Sequence, residues 1–309
     1  MDYKKIIKSR NVRLAILKAF SFVPDKLMLQ VQYRMKTGRK LNLKEPKRYT
    51  EKLQWYKLYY KNPLMTQCVD KYDVRAYVES KGLGHILNEC YGVFDTVEEI
   101  DFSKLPQQFV LKDTLGGGGN DLIVVLDKDT MDLDAAKQRM KKWVEENHRV
   151  RGGGREWPYY TGKKHRIIIE KYIPSCEADG GLIDFKFFCF NGKVEYLYVV
   201  ADRKVGQVAS FGVFDREYKH LDCCLADKVP LIRDVQKPEN FEELIVVAQT
   251  IAKDFPHARI DLYNPNGKIL FGEITFFDGS GYTPYEPDGF DFELGEKFVL
   301  PNGQNRHGN

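Results

Sequence analysis

Arg259-Ile-Asp-Leu-Tyr-Asn-Pro-Asn-Gly-Lys-Ile-Leu-Phe-Gly-Glu-Ile-Thr-Phe-Phe-Asp-Gly-Ser-Gly281 reads as two strands joined by a tight turn. Ala258, Ile260 and Leu262 alternate with Arg259, Asp261 and Tyr263, the period of two expected of a half-buried strand. Asn264-Pro-Asn-Gly267 supplies the turn, because Asn and Gly tolerate positive φ and Pro presets its own. The return strand then places Ile269, Phe271, Glu273 and Thr275 on one face. Pairing brings a face carrying Arg259 and Asp261 beside one carrying Glu273 and Thr275. Two carboxylates and a hydroxyl with an arginine near them make an oxygen site suited to a hard cation of the Mg²⁺ type. Carboxylates on a hairpin more commonly face solvent. Here they interrupt apolar strands, and Gly279-Ser-Gly281, a segment through which backbone can approach a ligand, follows at once.

A second chemical stretch lies upstream. Phe109-Val-Leu-Lys-Asp-Thr-Leu-Gly-Gly-Gly-Gly-Asn-Asp-Leu-Ile-Val-Val-Leu126 reads as strand, glycine loop, strand. It is not a Walker loop, which needs Gly-Lys-Ser/Thr opening a helix. It is not a dinucleotide fingerprint either, since no helix follows. Four residues without side chains allow successive N–H groups to close over an anion, with Lys112 as a point charge. A merely flexible turn is the competing reading.

The remaining chain alternates helices and strands of α+β type. Residues 50–60 read as a helix, Asp70 to Gly84 as a short helix ended by Gly82, and 87–94 as a strand. A polar helix over 132–147 precedes a Gly-rich, basic and aromatic loop at 149–164, either a connector or a lid. Arg166 to Ile173 is a buried-type strand. Residues 182–190 and 194–200 flank Asn191-Gly192, a strong hairpin signal. Asp184 and Lys186 share a face of the first of these strands, and Asp202-Arg203 follows the second. Residues 240–255 form an amphipathic helix with Asn240 as N-cap and Glu243 at N3. Tyr282 to Asp291 reads as an irregular surface loop, and 301–309 as a polar, disordered tail.

A chain of 309 residues can bury a real core, and no run approaches the roughly 20 apolar residues of a membrane span. No secretory signal is evident at the start. The six cysteines form no C-x-x-C and no metal spacing, which fits reduced, buried thiols in a cytoplasmic protein. The formal charge of +4 conceals an asymmetry. Residues 1–60 carry 16 Lys/Arg against 4 Asp/Glu, a local +12 that leaves −8 on the rest. Residues 4–22 suggest a basic amphipathic helix. A peripheral anchor through residues 1–23 on an anionic bilayer face and a packed helix with a solvated basic side are both open. No recognition module surrounds the later aromatics, so nucleic acid is not expected as a partner.

The order of these parts resembles the ATP-grasp superfamily, in which two α+β subdomains hold ATP between them. Within it the chain is similar to the TupA-like ATP-grasp family of polysaccharide gene clusters. The resemblance runs over about residues 25–300. It rests on Asp70-Lys71 with Val74-Arg75, Phe109-Val-Leu-Lys112 with its glycines, and Arg155-Glu-Trp157 through Arg166-Ile-Ile-Ile-Glu170. Asp184 through Gly192, together with Arg259 through Phe276, completes it. The resemblance implies a basic helical segment over 1–60 and an N-terminal subdomain over 61–108. It further implies grasp subdomains over 109–175 and 176–300. Lys71 and Lys112 would contact ATP phosphates beneath Gly116, Gly117, Gly118 and Gly119. Glu170, Lys171, Tyr172 and Ile173 would form the hinge beside adenine, with Glu177 near the ribose. Asp261 and Glu273 would hold Mg²⁺. Thr275 stands where many relatives carry an Asn ligand, so a water can intervene there. Arg259 would place positive charge near the transferred phosphoryl group, with Lys186 and Arg203 lining the cleft.

The implied activity is ATP-dependent carboxylate–amine ligation through an acyl phosphate. It would join an amino acid to a sugar acid or amino sugar of a surface polysaccharide, the substrate being a small molecule or a lipid-linked glycan. The alternatives are a kinase of a sugar or lipid-linked alcohol, a glycosyltransferase of the same pathway and a degenerate ATP-binding module. Asp261-to-Glu273 is not the D-x-D pattern of the second, and the retained lysines, glycines and carboxylates oppose the third.

Overall fold

The computed structural model describes residues 19–20, 22–117, 121–145, 162–174, 181–202 and 208–301. The expected basic helix, apart from its last residues, lies outside them, as do most of the 149–164 loop and nearly all of the C-terminal tail. Gly118, Gly119, Glu177 and Arg203 lie outside them too. The chain divides into two units. The larger takes the described residues up to Asn62 and those from Gly181 onward; the smaller runs from Pro63 to Pro174.

Two helices open the larger unit, α1 (Asp25–Thr37) and α2 (Tyr49–Tyr59). The smaller unit follows with α3 (Pro63–Cys68), α4 (Val74–Ser80), β1 (Cys90–Phe94), β2 (Phe109–Asp113), β3 (Leu122–Val125), α5 (Leu133–Glu145) and β4 (Ile167–Lys171). Its sheet is antiparallel in the order β1-β4-β2-β3. Ala136, Met140 and Trp143 of α5 cover Phe109, Leu111, Ile167 and Ile169. The helix expected from Asp70 starts later, at Val74. The Asp70 carboxylate accepts the N–H groups of Tyr72 and Asp73, a local turn that competes with helix. Gly82 ends the helical segment with φ of 75°, as expected.

The larger unit resumes with β5 (Asp184–Phe190), β6 (Lys193–Ala201), β7 (Ser210–Asp215), β8 (Cys224–Leu225) and β9 (Val229–Pro230). Then come α6 (Phe241–Ala252), β10 (His257–Tyr263), β11 (Leu270–Thr275), β12 (Tyr285–Glu286) and α7 (Gly289–Lys297). Six strands run β11-β10-β5-β6-β7-β9, and β12 pairs with β8. Asn191 and Gly192 both take positive φ in the expected β5–β6 hairpin. Residues 185, 187 and 189 of β5 face α6, where Phe187 meets Phe241 and the Cys189 thiol lies against the Ala248 carbonyl. Residues 184, 186, 188 and 190 face the other way.

Three expectations are corrected. The Asn240 side chain does not cap α6; it bonds Asn264 and the Gly267 carbonyl, tying the helix start to the β10–β11 turn. Tyr282 to Asp291 is not a surface loop, because Tyr282 and Tyr285 are buried and the segment holds β12 and the start of α7. Among the described cysteines only Cys68 and Cys189 are buried; Cys90, Cys223 and Cys224 are half-buried and all five are free thiols.

His257 begins β10 inside an aromatic cage of Tyr49, Phe190 and Phe298. Its Nδ1–H donates to the Cys189 carbonyl at 3.0 Å, so Nε2 accepts the Tyr49 hydroxyl at 2.9 Å. Burial, with Arg259 nearby, holds its pKa down at about 3 from 6.5. Because the unfolded chain takes up a proton that the folded chain refuses, stability is lost as pH falls from about 6.5 towards 3. Between pH 7 and 5 this site alone removes about 2 kcal/mol. Urea unfolding of His257→Gln should show a correspondingly flatter acid limb than the parent chain, and parallel limbs would contradict the assignment.

Candidate active site

The register of the larger sheet assembles one charged cluster. Arg259 pairs with Thr275 and Asp261 with Glu273 on one side, while Asp261 pairs with Lys186 on the other. The hairpin face read from the period-two pattern is therefore present at Arg259, Asp261, Glu273 and Thr275. It does not extend to Phe271. A bulge at Gly272 pairs Phe271 with Leu262, moving it to the opposite face. A Cβ at Gly272 would stand 2.9 Å from the Asp261 carbonyl oxygen, so this strand crosses its neighbour too closely for a side chain.

Arg259 binds four partners. Nε and Nη2 donate to the two oxygens of Asp261 at 2.7 and 2.8 Å, a bidentate fork. Nη2 also reaches Glu273 at 3.3 Å and Thr275 at 3.1 Å, and Nη1 donates to Asp278. Thr275 donates to Glu273 at 3.2 Å. Lys186 bridges Asp184 at 2.6 Å and Asp261. Burial works against the Lys186 ammonium, but Asp184 and Asp261 more than reverse it, so its pKa lies above the lysine norm. Burial likewise opposes the charge on Asp261, and Arg259 with Lys186 overcomes it to leave the carboxyl below its ordinary range. Arg259, Asp184, Asp261 and Asp278 are buried, Lys186 and Thr275 are partly buried, and the Glu273 side chain is 45% exposed.

Four carboxylates (Asp184, Asp261, Glu273 and Asp278) face two cations, leaving a net charge of −2. That excess and an all-oxygen donor set fit a hard divalent cation. Among the described residues no group of three or more His, Cys, Asp or Glu is arranged to hold a metal alone. Mg²⁺ commonly takes one or two carboxylates and completes its shell with water and phosphate, so Asp261 and Glu273 are the two residues that could hold it.

The smaller unit builds a second, separate cluster. Lys71 Nζ donates to the Gly116 carbonyl and the Lys71 N–H to the Thr114 carbonyl at 3.0 Å, so this lysine is fixed against the first limb of the glycine loop. Gly116 has no room for a side chain, since a Cβ would lie 2.5 Å from that of Asp121. Lys112 Nζ donates to Glu170 at 2.6 Å, with Arg75 3.7 Å from the same carboxylate. Lys171 closes β4; its N–H goes to the Glu89 carbonyl and its own carbonyl accepts Asn88. Its ammonium meets Glu89 in solvent, and Tyr172 and Ile173 follow outside the ladder.

Two participants were not selected from the sequence. Asp278 holds the far side of Arg259; its signal was an acid directly preceding Gly-Ser-Gly. Asp184 shares Lys186 with Asp261; the sequence placed it on the same face as Lys186 but gave it no site role.

A family model described as TupA-like ATPgrasp matches residues 51–299. Comparison with curated proteins returned no match. Among solved structures, D-alanine–D-alanine ligase from Bacillus anthracis is 19% identical with a TM-score of 0.41, over 68% of this chain and 57% of that one. L-amino acid ligase from Bacillus licheniformis is 18% identical with a TM-score of 0.44, over 70% and 45%. D-Alanine–D-alanine ligase from Helicobacter pylori is 14% identical with a TM-score of 0.40, over 76% and 61%. The chain thus spans about half to three-fifths of the length of these structures.

The geometry separates structural from exposed carboxylates. Asp278→Asn removes a charge from a buried pair and should cost about 3 kcal/mol of unfolding free energy. Glu273→Gln, half exposed, should cost less than about 1 kcal/mol. Denaturant titration of both variants checks the contrast, and equal losses would refute it.

Proposed function

The chain belongs to the TupA-like ATP-grasp family, and from that premise we propose that it is an ATP-dependent carboxylate–amine ligase. The observation that carries this reading is the position of Asp261, locked between Lys186 and Glu273 by the ladder and forked by Arg259, in a cluster with net charge −2. Such a cluster suits a magnesium-bound polyphosphate and offers no side-chain nucleophile. A carboxylate is a poor acylating agent, so activation by phosphorylation meets a chemical need that charge placement alone can serve.

In the first step a substrate carboxylate oxygen attacks the γ-phosphorus of ATP, the bond to the β-phosphate oxygen breaks and ADP leaves. In the second an amine attacks the acyl carbon, phosphate departs and the nitrogen gives up a proton. Lys71 and Lys112 supply point charges to the phosphates, Lys71 already held against the glycine loop. Arg259 acts mainly as a clamp, fixing Asp261, Glu273 and Thr275 by one rigid guanidinium. Lys186 holds the second flank of Asp261. Mg²⁺, held through Asp261 and Glu273, would neutralise phosphate charge.

The substrate class we propose, on the family's association, is a sugar acid or amino sugar of a surface polysaccharide, joined to an amino acid by an amide. Purified protein given Mg-ATP, hydroxylamine and a panel of uronic acids should form hydroxamate and ADP together. ADP without hydroxamate or amide would overturn ligation in favour of a kinase. Glu273→Gln should lower turnover by roughly a hundredfold or more while the protein stays folded. Retained turnover would remove Glu273 from the site.

A further inference from the structure

Helix α1 has two apolar faces and the fold uses one. Met28, Leu29, Gln32 and Tyr33 are buried, and Leu29 and Tyr33 pack with Leu41 and Tyr282. On the opposite side Leu27, Val31 and Met35 recur every four residues and remain 52%, 46% and 49% exposed. Residues four apart stack on a helix, so these three form one continuous ridge. Phe20 and Phe22 stand just before it, 48% and 80% exposed, with ring centroids 6.3 Å apart. Five of the thirteen exposed large hydrophobic side chains among the described residues thus fall within 16 positions. Single exposed apolar residues need no explanation, but a clustered ridge does.

Charge identifies the occupant. Lys26, Arg34 and Lys40 are exposed on or beside α1. The segment that precedes it, residues 1–18, carries six lysines and arginines against one aspartate. That segment folding back would set like charge on like charge. A second copy of the ridge would do the same. The fitting partner is apolar within and negative at its rim, which is the chemistry of an anionic phospholipid bilayer: apolar side chains sink below the headgroups while Lys and Arg stay at phosphate level. We propose that Phe20, Phe22 and the Leu27–Val31–Met35 ridge of α1 form a docking surface for an anionic bilayer. This does not depend on the ligase reading.

The full chain should co-sediment with vesicles of phosphatidylcholine mixed with phosphatidylglycerol, and weaken as salt is raised. The variant Leu27→Gln/Val31→Gln/Met35→Gln should lose about tenfold or more in vesicle partitioning. Its thermal unfolding should match the parent's, since only exposed positions change. A second variant, Lys26→Glu/Arg34→Glu, should weaken binding and reduce its salt dependence. Undiminished binding by either variant would overturn the proposal. Equal binding to pure phosphatidylcholine would do so as well. A lipid-free dimer abolished by the triple variant would assign the ridge to a second copy instead.

Discussion

The larger unit turns on one interaction, the bidentate ion pair of Arg259 with Asp261 inside a six-stranded sheet. Taking two charges out of water is costly and their attraction alone rarely repays it. The sheet tolerates them because polar neighbours on that face contribute: Lys186 and Asp184 from β5, Glu273 and Thr275 from β11, and Asp278 just beyond. Buried ion pairs often stabilise a fold no more than apolar side chains of the same volume. What the charged set provides is fixed direction. The ladder holds Asp261 between two partners, the fork sets its plane, and only Glu273 keeps an exposed carboxylate. That fixed direction is what the proposed function draws on.

The smaller unit shows the same economy with different materials. Asp113, fully buried, receives the Leu115 N–H and faces His165 at 2.8 Å. Thr114 exchanges backbone and hydroxyl bonds with Arg166, whose guanidinium holds Asp70 and Asp73. The first limb of the glycine loop is therefore braced from two sides before Lys71 closes on Gly116. The polar side chains around Thr114 and Gly116 thus fix the limb from which the glycines follow.

The parts legible in the sequence were those governed by short periods. The two-residue alternation of β10 and β11 placed Arg259, Asp261, Glu273 and Thr275 together, and Asn191-Gly192 marked the β5–β6 hairpin. The parts missed were tertiary. Asn240 has a good local capping pattern, yet its amide finds better partners across the chain in Asn264 and Gly267. Gly272 reads as an ordinary strand residue, because a bulge shows itself only against the neighbouring strand. The Tyr282–Asp291 stretch has the Pro and Gly content of a loop, but its tyrosines are buried by contacts from α1 and β6. Asp278 received no role from the sequence because its partner, Arg259, lies nineteen residues back.

The N-terminal helices bear on the site for a related reason. Tyr33 of α1 bonds Thr50 of α2, and Thr50 bonds Asp291 of α7. One turn further along α2, Gln54 and the buried Lys57 hold the carbonyls of Ser280 and Gly281. Gly279, Ser280 and Gly281 all take left-handed φ there, a conformation that costs energy at Ser280 and must be held from outside. Asp278 heads this turn and grips Arg259. The helix bearing the apolar ridge is thus joined to the charged cluster through packed, hydrogen-bonded elements of one unit. A surface that met a bilayer through α1 would present the Arg259 cluster in a fixed orientation to that bilayer, which a loose tether could not do.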